Sequence, residues 1–166
     1  MFLTTTYLAT QKGFSTESAG YITTLFSVSG VVGTFVGSFL SDTLFRSRRA
    51  PISVIMLLIL SFCLFLFWKA EGVMIPISIS LGGFFVMGPD FLVSAVAVMD
   101  FGSKEGAGTA AGFVNGVGSF GPAVMGVTTG LLVSSVGWNG VFIAIIILSL
   151  LCAALMSTLW KKVGKN

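Results

Sequence analysis

The sequence has no histidine and two cysteines, and charged residues make up 9% of its 166 positions. Without histidine there is no Ser/His or Cys/His pair to activate a nucleophile, so hydrolytic chemistry of the familiar kinds has no candidate site. Cys63 and Cys152 lie far apart in apolar runs, outside any metal-ligand or redox spacing, and read as packing residues. A water-soluble surface needs about a quarter charged residues. With 55% hydrophobic residues and a mean hydropathy of +1.01, this chain suits lipid instead. The pI of about 9.1 does not imply a nucleic-acid partner, because the basic residues flank apolar runs and no stacking-plus-basic groove pattern joins them. No enzyme, metal or cofactor reading follows from these residues. A basic n-region and small-residue cleavage site are also missing from residues 1–10, which leaves targeting to the apolar runs themselves.

What the chain does have is long charge-free stretches. No charge appears between Glu17 and Asp42, or between Arg49 and Lys69, and each gap is about the 20 residues a helix needs to cross a bilayer. The pattern predicts an all-α integral membrane protein in one domain, residues 1–166, with five full spans at 19–41, 50–68, 73–99, 106–133 and 141–160. Residues 1–10 read as the end of a helix whose beginning is missing. Residues 106–160 hold no charge over 55 positions, too many for one crossing, and the cluster at 134–140 predicts the turn that divides them. Seven basic residues (Arg46, Arg48, Arg49, Lys104, Lys161, Lys162, Lys165) fall on one side of this layout and two (Lys12, Lys69) on the other. The excess marks the cytosolic side, which predicts an external start and a cytoplasmic C-terminus in the plasma membrane.

Spacing sorts the polar residues onto faces. Thr23, Ser27, Gly30, Thr34, Gly37 and Ser41 recur at alternating steps of four and three, a small-residue stripe suited to helix packing, with Gly33 beside it and Thr34 also a candidate for lining a cavity. The second span is nearly all aliphatic and is expected against lipid. In the third, Ser80, Gly83, Met87, Asp90 and Ser94 share a face, and Gly88-Pro89 before the acid predicts a bend. Asp90 lies about nine residues from the span's end, roughly 13 Å deep at 1.5 Å per residue. A charge there costs about 2.5 to 3.5 kcal/mol against lipid, so it should face the bundle or water, as a functional group or as a partner for backbone freed by the kink. In the fourth span Gly108, Gly112 and Gly116, then Gly126 and Gly130, form packing steps, and Asn115 and Ser119 offer hydrogen bonds to a substrate.

Gly37, Asp42, Arg46, Arg48 and Arg49 resemble the loop motif between the second and third spans of each half of a major facilitator superfamily transporter, with Thr43 and Ser47 replacing the usual basic residue and glycine. Asp100, Lys104 and the run Ala107-Gly108-Thr109-Ala110-Ala111-Gly112-Phe113, with Gly88-Pro89, Gly137-Trp138, Thr6-Tyr7-Leu8, Ser41-Asp42 and Phe45-Arg46, resemble the organophosphate:inorganic phosphate antiporter branch. The resemblance implies the C-terminal six-helix half of that fold with its first helix truncated. It implies alternating access around a midplane site, an anionic small-molecule substrate, and a missing N-terminal half as partner within the bilayer. Asp42 then becomes a gating residue. The substrate-flanking aromatics of the branch correspond here to Met87 and Ser119, and its phosphate-holding arginines would precede Met1. A carboxylate at position 90 repels a phosphate ester, which keeps two alternatives open: proton-coupled transport of another solute, and a sensor-like or remnant protein without transport.

Overall fold

The computed structural model describes residues 2–46, 48–98 and 106–161. Asp100, Lys104, Lys162 and Lys165 lie outside the described residues. Among the described residues five α-helices follow in order: α1 Phe2–Gln11, α2 Thr16–Thr43, α3 Arg49–Lys69, α4 Met74–Phe91 and α5 Ala107–Ser157. Ser15 starts α2, its Oγ accepting from the Ser18 backbone N–H at 3.2 Å and so satisfying one of the open donors of a first turn. Pro51 occupies the first turn of α3, where its missing N–H leaves no bond unmade.

Proline acts differently in α4. Pro89 stands inside the helix, and just beyond it the bonding pattern widens into a π-helical segment, Leu92–Ala97. The Leu92 N–H reaches both the Gly88 and Pro89 carbonyls. The irregularity expected at Gly88-Pro89 thus takes the form of a π-helical segment that begins two residues after Asp90.

Among the described residues four helices are long and apolar enough to cross a membrane, and the last, Gly108–Ser157, is 50 residues long. Its helical pattern is broken at Gly137 alone, where φ 73° and ψ −175° define a conformation essentially reserved for glycine. Residues on both sides of Gly137, including Met125, Thr129, Val141 and Ile145, line one cleft, so the helix folds back there into two arms. The dividing turn predicted over 134–140 is therefore one residue, not a loop.

The bundle has two ends. At one, Tyr7 of α1 makes edge contacts with Phe67 of α3 and with Trp138 and Phe142 of α5, ring centroids 5.0–5.5 Å apart. Trp68 stacks on Phe142 and donates from Nε1 to Asn139 Oδ1 at 3.0 Å, while Lys12 Nζ donates to the Ala70 carbonyl at 2.8 Å. Toward the other end Ile52, Met56 and Leu92 form a second buried cluster with Leu40 and Phe45 against it. We refer to these as the Tyr7 end and the Asp42 end.

One expectation is reversed. α3, expected against lipid, is the most enclosed span, with 56% of its apolar window buried against 22% for α2 and 17% for α5. It packs on both α4 and α5, and Ser61 and Ser149 share a buried hydrogen bond of 2.6 Å across the α3–α5 contact. The physical reason is that an aliphatic surface cannot tell a lipid tail from a neighbouring leucine.

Candidate functional site

The α2–α4 crossing is built by glycines on both helices. A Cβ on Gly33 would strike the Phe84 backbone, one on Gly83 the Phe26 carbonyl, and one on Gly30 the Met87 side chain. Gly37 sits against Met56 and Gly88, with room for a Cβ only 3.2 Å from Met56 Sδ. Close backbone approach of this kind is how membrane helices gain dispersion contact without a hydrophobic driving force. Met87 is half-buried and fills the notch over Gly30. Thr34 is also half-buried, its hydroxyl donating to the Val31 carbonyl of its own helix at 2.7 Å.

Beyond the crossing, the polar residues of α4 emerge. Asp90 is exposed, and among the described residues its carboxyl has no hydrogen-bond or ion-pair partner. Ser94 is half-buried in the π segment. On the first arm of α5, Asn115 and Ser119 are both exposed, and the Ser119 hydroxyl donates to the Asn115 carbonyl at 2.8 Å. The six candidates thus fall into two groups, one along α4 and its contact with α2, the other on α5. Both open onto surfaces that this chain leaves uncovered.

The glycines on α5 have different surroundings. Nothing lies within 4 Å of a Cβ added at Gly108, Gly112, Gly116, Gly126 or Gly130, so these residues do not pack against this chain as Gly33 does. α5 reaches its neighbours mainly through its second arm, leaving the first arm with exposed Phe113, Val117 and Phe120.

At the Asp42 end the loop motif is partly assembled. Arg49 pairs with Asp42 and also donates to Ser41 Oγ at 3.1 Å; Ser41 Oγ in turn donates to the Arg48 carbonyl at 3.3 Å. Arg49 is mostly covered, its side chain 11% exposed, whereas Asp42 is 55% exposed. The ion pair therefore ties the end of α2 to the start of α3, across the turn that Gly37 places beside α4. Arg46 and Arg48 take no part in it: both are exposed and, among the described residues, neither side chain has an ion-pair partner.

Sequence reasoning missed two features. The first is the apolar cleft of about 850 Å³ between the arms of α5, lined by Pro122, Met125, Thr129, Val141 and Leu148 among others. The second is Ser38 Oγ, buried one residue past Gly37 with no partner among the described residues. No spacing rule flags such a serine, since most hydroxyls on these helices bond to their own backbone one turn back. Among the described residues no three His, Cys, Asp or Glu stand close enough to hold a metal ion.

The family model described as Major Facilitator Superfamily matches residues 1–165. The chain belongs to this superfamily. It is 30% identical over 162 residues to the "Probable hexose phosphate transport protein" of Chlamydia muridarum, covering 93% of this chain and 34% of that protein. It is 31% identical to the "Glycerol-3-phosphate transporter" of Bacillus subtilis, covering 93% and 36%, and 30% identical to the "Membrane sensor protein UhpC" of Escherichia coli, covering 90% and 35%. No solved structure matches. These relatives agree with the organophosphate:inorganic phosphate antiporter branch that the motifs resemble, and the chain spans about a third of the length of the curated relatives it matches. It is an integral membrane protein of a transporter family; two of these three relatives carry the names of transporters and the third that of a sensor.

Proposed function

We propose that the chain forms the C-terminal half of a secondary active transporter, exchanging a phosphorylated small metabolite for inorganic phosphate by alternating access. The observation that carries this reading is the contrast between two surfaces: a tight glycine crossing of α2 on α4, and an uncovered face on the first arm of α5 where Gly108, Gly112, Asn115 and Gly116 meet no neighbour. A second six-helix half is the partner that such a face fits, with the substrate held between the halves near Asp90, Ser94, Asn115 and Ser119. The Asp42–Arg49 pair biases the conformational exchange at the cytosolic end, where the C-terminus also lies. The test is exchange in phosphate-loaded vesicles holding this chain with its N-terminal counterpart. Uptake of labelled glycerol phosphate or hexose phosphate that depends on internal phosphate is expected, and uptake indifferent to internal phosphate overturns it.

A second reading has its own support. One relative is named a sensor, and Asp90 brings a carboxylate to a position at odds with a phosphate ester. Binding of a phosphate ester without uptake would favour a sensor. Uptake of an unphosphorylated solute whose pH dependence vanishes in Asp90→Asn would favour proton coupling.

A further inference from the structure

The geometry points to a binding site for the headgroup of an anionic phospholipid at the Asp42 end, held by Arg46 and Arg48. A cleft of about 270 Å³ is lined by Leu44, Phe45, Arg46, Arg48, Pro51 and Trp160, joining the α2–α3 connection to the residues just past α5. Its lining combines two chemistries. Arg46 and Arg48 are both exposed and have no ion-pair partner among the described residues, although Arg49 beside them is taken by Asp42. The remaining lining residues are apolar, with Leu44 69% and Trp160 42% exposed.

Each element fits a lipid better than a soluble anion. Guanidinium groups bind phosphate through parallel N–H donors, so two of them can hold a phosphodiester. The cleft lies where the membrane-length helices α2, α3 and α5 end, at the level of headgroups, and tryptophan is enriched at that level. A soluble phosphate would satisfy the arginines but leave Leu44 and Trp160 in water, whereas a lipid's glycerol backbone and upper chains cover them. Basic pockets between membrane helices recognise anionic headgroups on this principle. The two loop arginines that the gate does not use thus have a ligand of their own, independent of what the protein transports.

The test uses the protein in phosphatidylcholine vesicles containing, at equal mole fraction, either phosphatidylglycerol or phosphatidylcholine with brominated chains in both leaflets. The readout is quenching of the tryptophan emission that disappears in Trp160→Phe. Stronger quenching by the anionic lipid is expected, its preference falling about fivefold for each arginine removed in Arg46→Gln and Arg48→Gln and weakening at high salt. Inorganic phosphate added to the medium should leave it unchanged. Emission from Trp68 and Trp138 at the Tyr7 end reports whether each variant is folded, and Arg46→Lys with Arg48→Lys should keep most of the preference. Equal quenching by the two lipids, or a preference untouched in the folded double glutamine variant, overturns the proposal. Loss of quenching on adding phosphate would also overturn it, assigning the arginines to a soluble anion.

Discussion

At the scale of single residues, small polar groups decide where these helices meet. The Ser61–Ser149 bond is buried between α3 and α5 and joins positions 88 apart in sequence. Interhelical bonds in membranes average about 0.6 kcal/mol because the separated helices find other partners. Ser61→Ala and Ser149→Ala should each lower stability by about that amount, with little further loss in the double variant, as measured by unfolding in detergent. Asp42 and Arg49 form a pair with one exposed member, so solvent screening keeps its worth below about 1 kcal/mol. Asp42→Asn should therefore leave thermal stability nearly unchanged while shifting the ratio of inward-open to outward-open states, which labelling from each side of the membrane would register.

Among the elements, two glycine-bearing helices face different surroundings. α2 is pressed onto α4 at Gly30 and Gly33, whereas the first arm of α5 has open space at Gly108, Gly112 and Gly116. Gly33→Ala drives a methyl group into the Phe84 backbone and should destabilise the chain by about 1 to 3 kcal/mol, the range for overpacking. Gly112→Ala should leave the isolated chain unaffected and weaken only its association with a second half. Equal thermal shifts for the two would count against the difference in role. The sequence pattern of the two stripes is the same, so periodicity identified both as packing surfaces and could not say which partner covers each. The helix ends of α2 and α3 were legible, because charges at Glu17, Asp42, Arg49 and Lys69 lie at or beside them. They were least legible between the arms of α5, where a single backbone conformation replaces the predicted loop.

For the whole molecule, the Tyr7 cluster ties three parts of the chain together. Thr6-Tyr7-Leu8 and Gly137-Trp138 are far apart in sequence, yet Tyr7 and Trp138 meet at 5.0 Å, and Leu8 is fully buried beside them. Tyr7→Ala removes an aromatic ring from three edge contacts and should cost about 3 kcal/mol or more, undocking α1 first, with earlier hydrogen exchange over Phe2–Gln11 as the measure. Motif resemblance identified these residues without their geometry. The enclosed position of α3 escaped the sequence because its apolar composition suits lipid and protein neighbours alike. The site was legible as a list of residues, but its two-part division across α4 and α5 depends on which surfaces lie uncovered, and spacing does not encode that.

The break at Gly137 has a consequence for how the chain reaches its final topology. A straight helix of the length of α5, 51 residues, would extend about 75 Å at 1.5 Å per residue, more than twice the thickness of a hydrocarbon core. No charge within it tells the insertion machinery where to stop one crossing and begin the next. A side chain at position 137 would oppose the required dihedral, so a bulky replacement such as Gly137→Val should yield a mixed population whose lysine-rich tail emerges on either side of the bilayer. On this argument one backbone conformation governs which compartment receives the residues that follow α5.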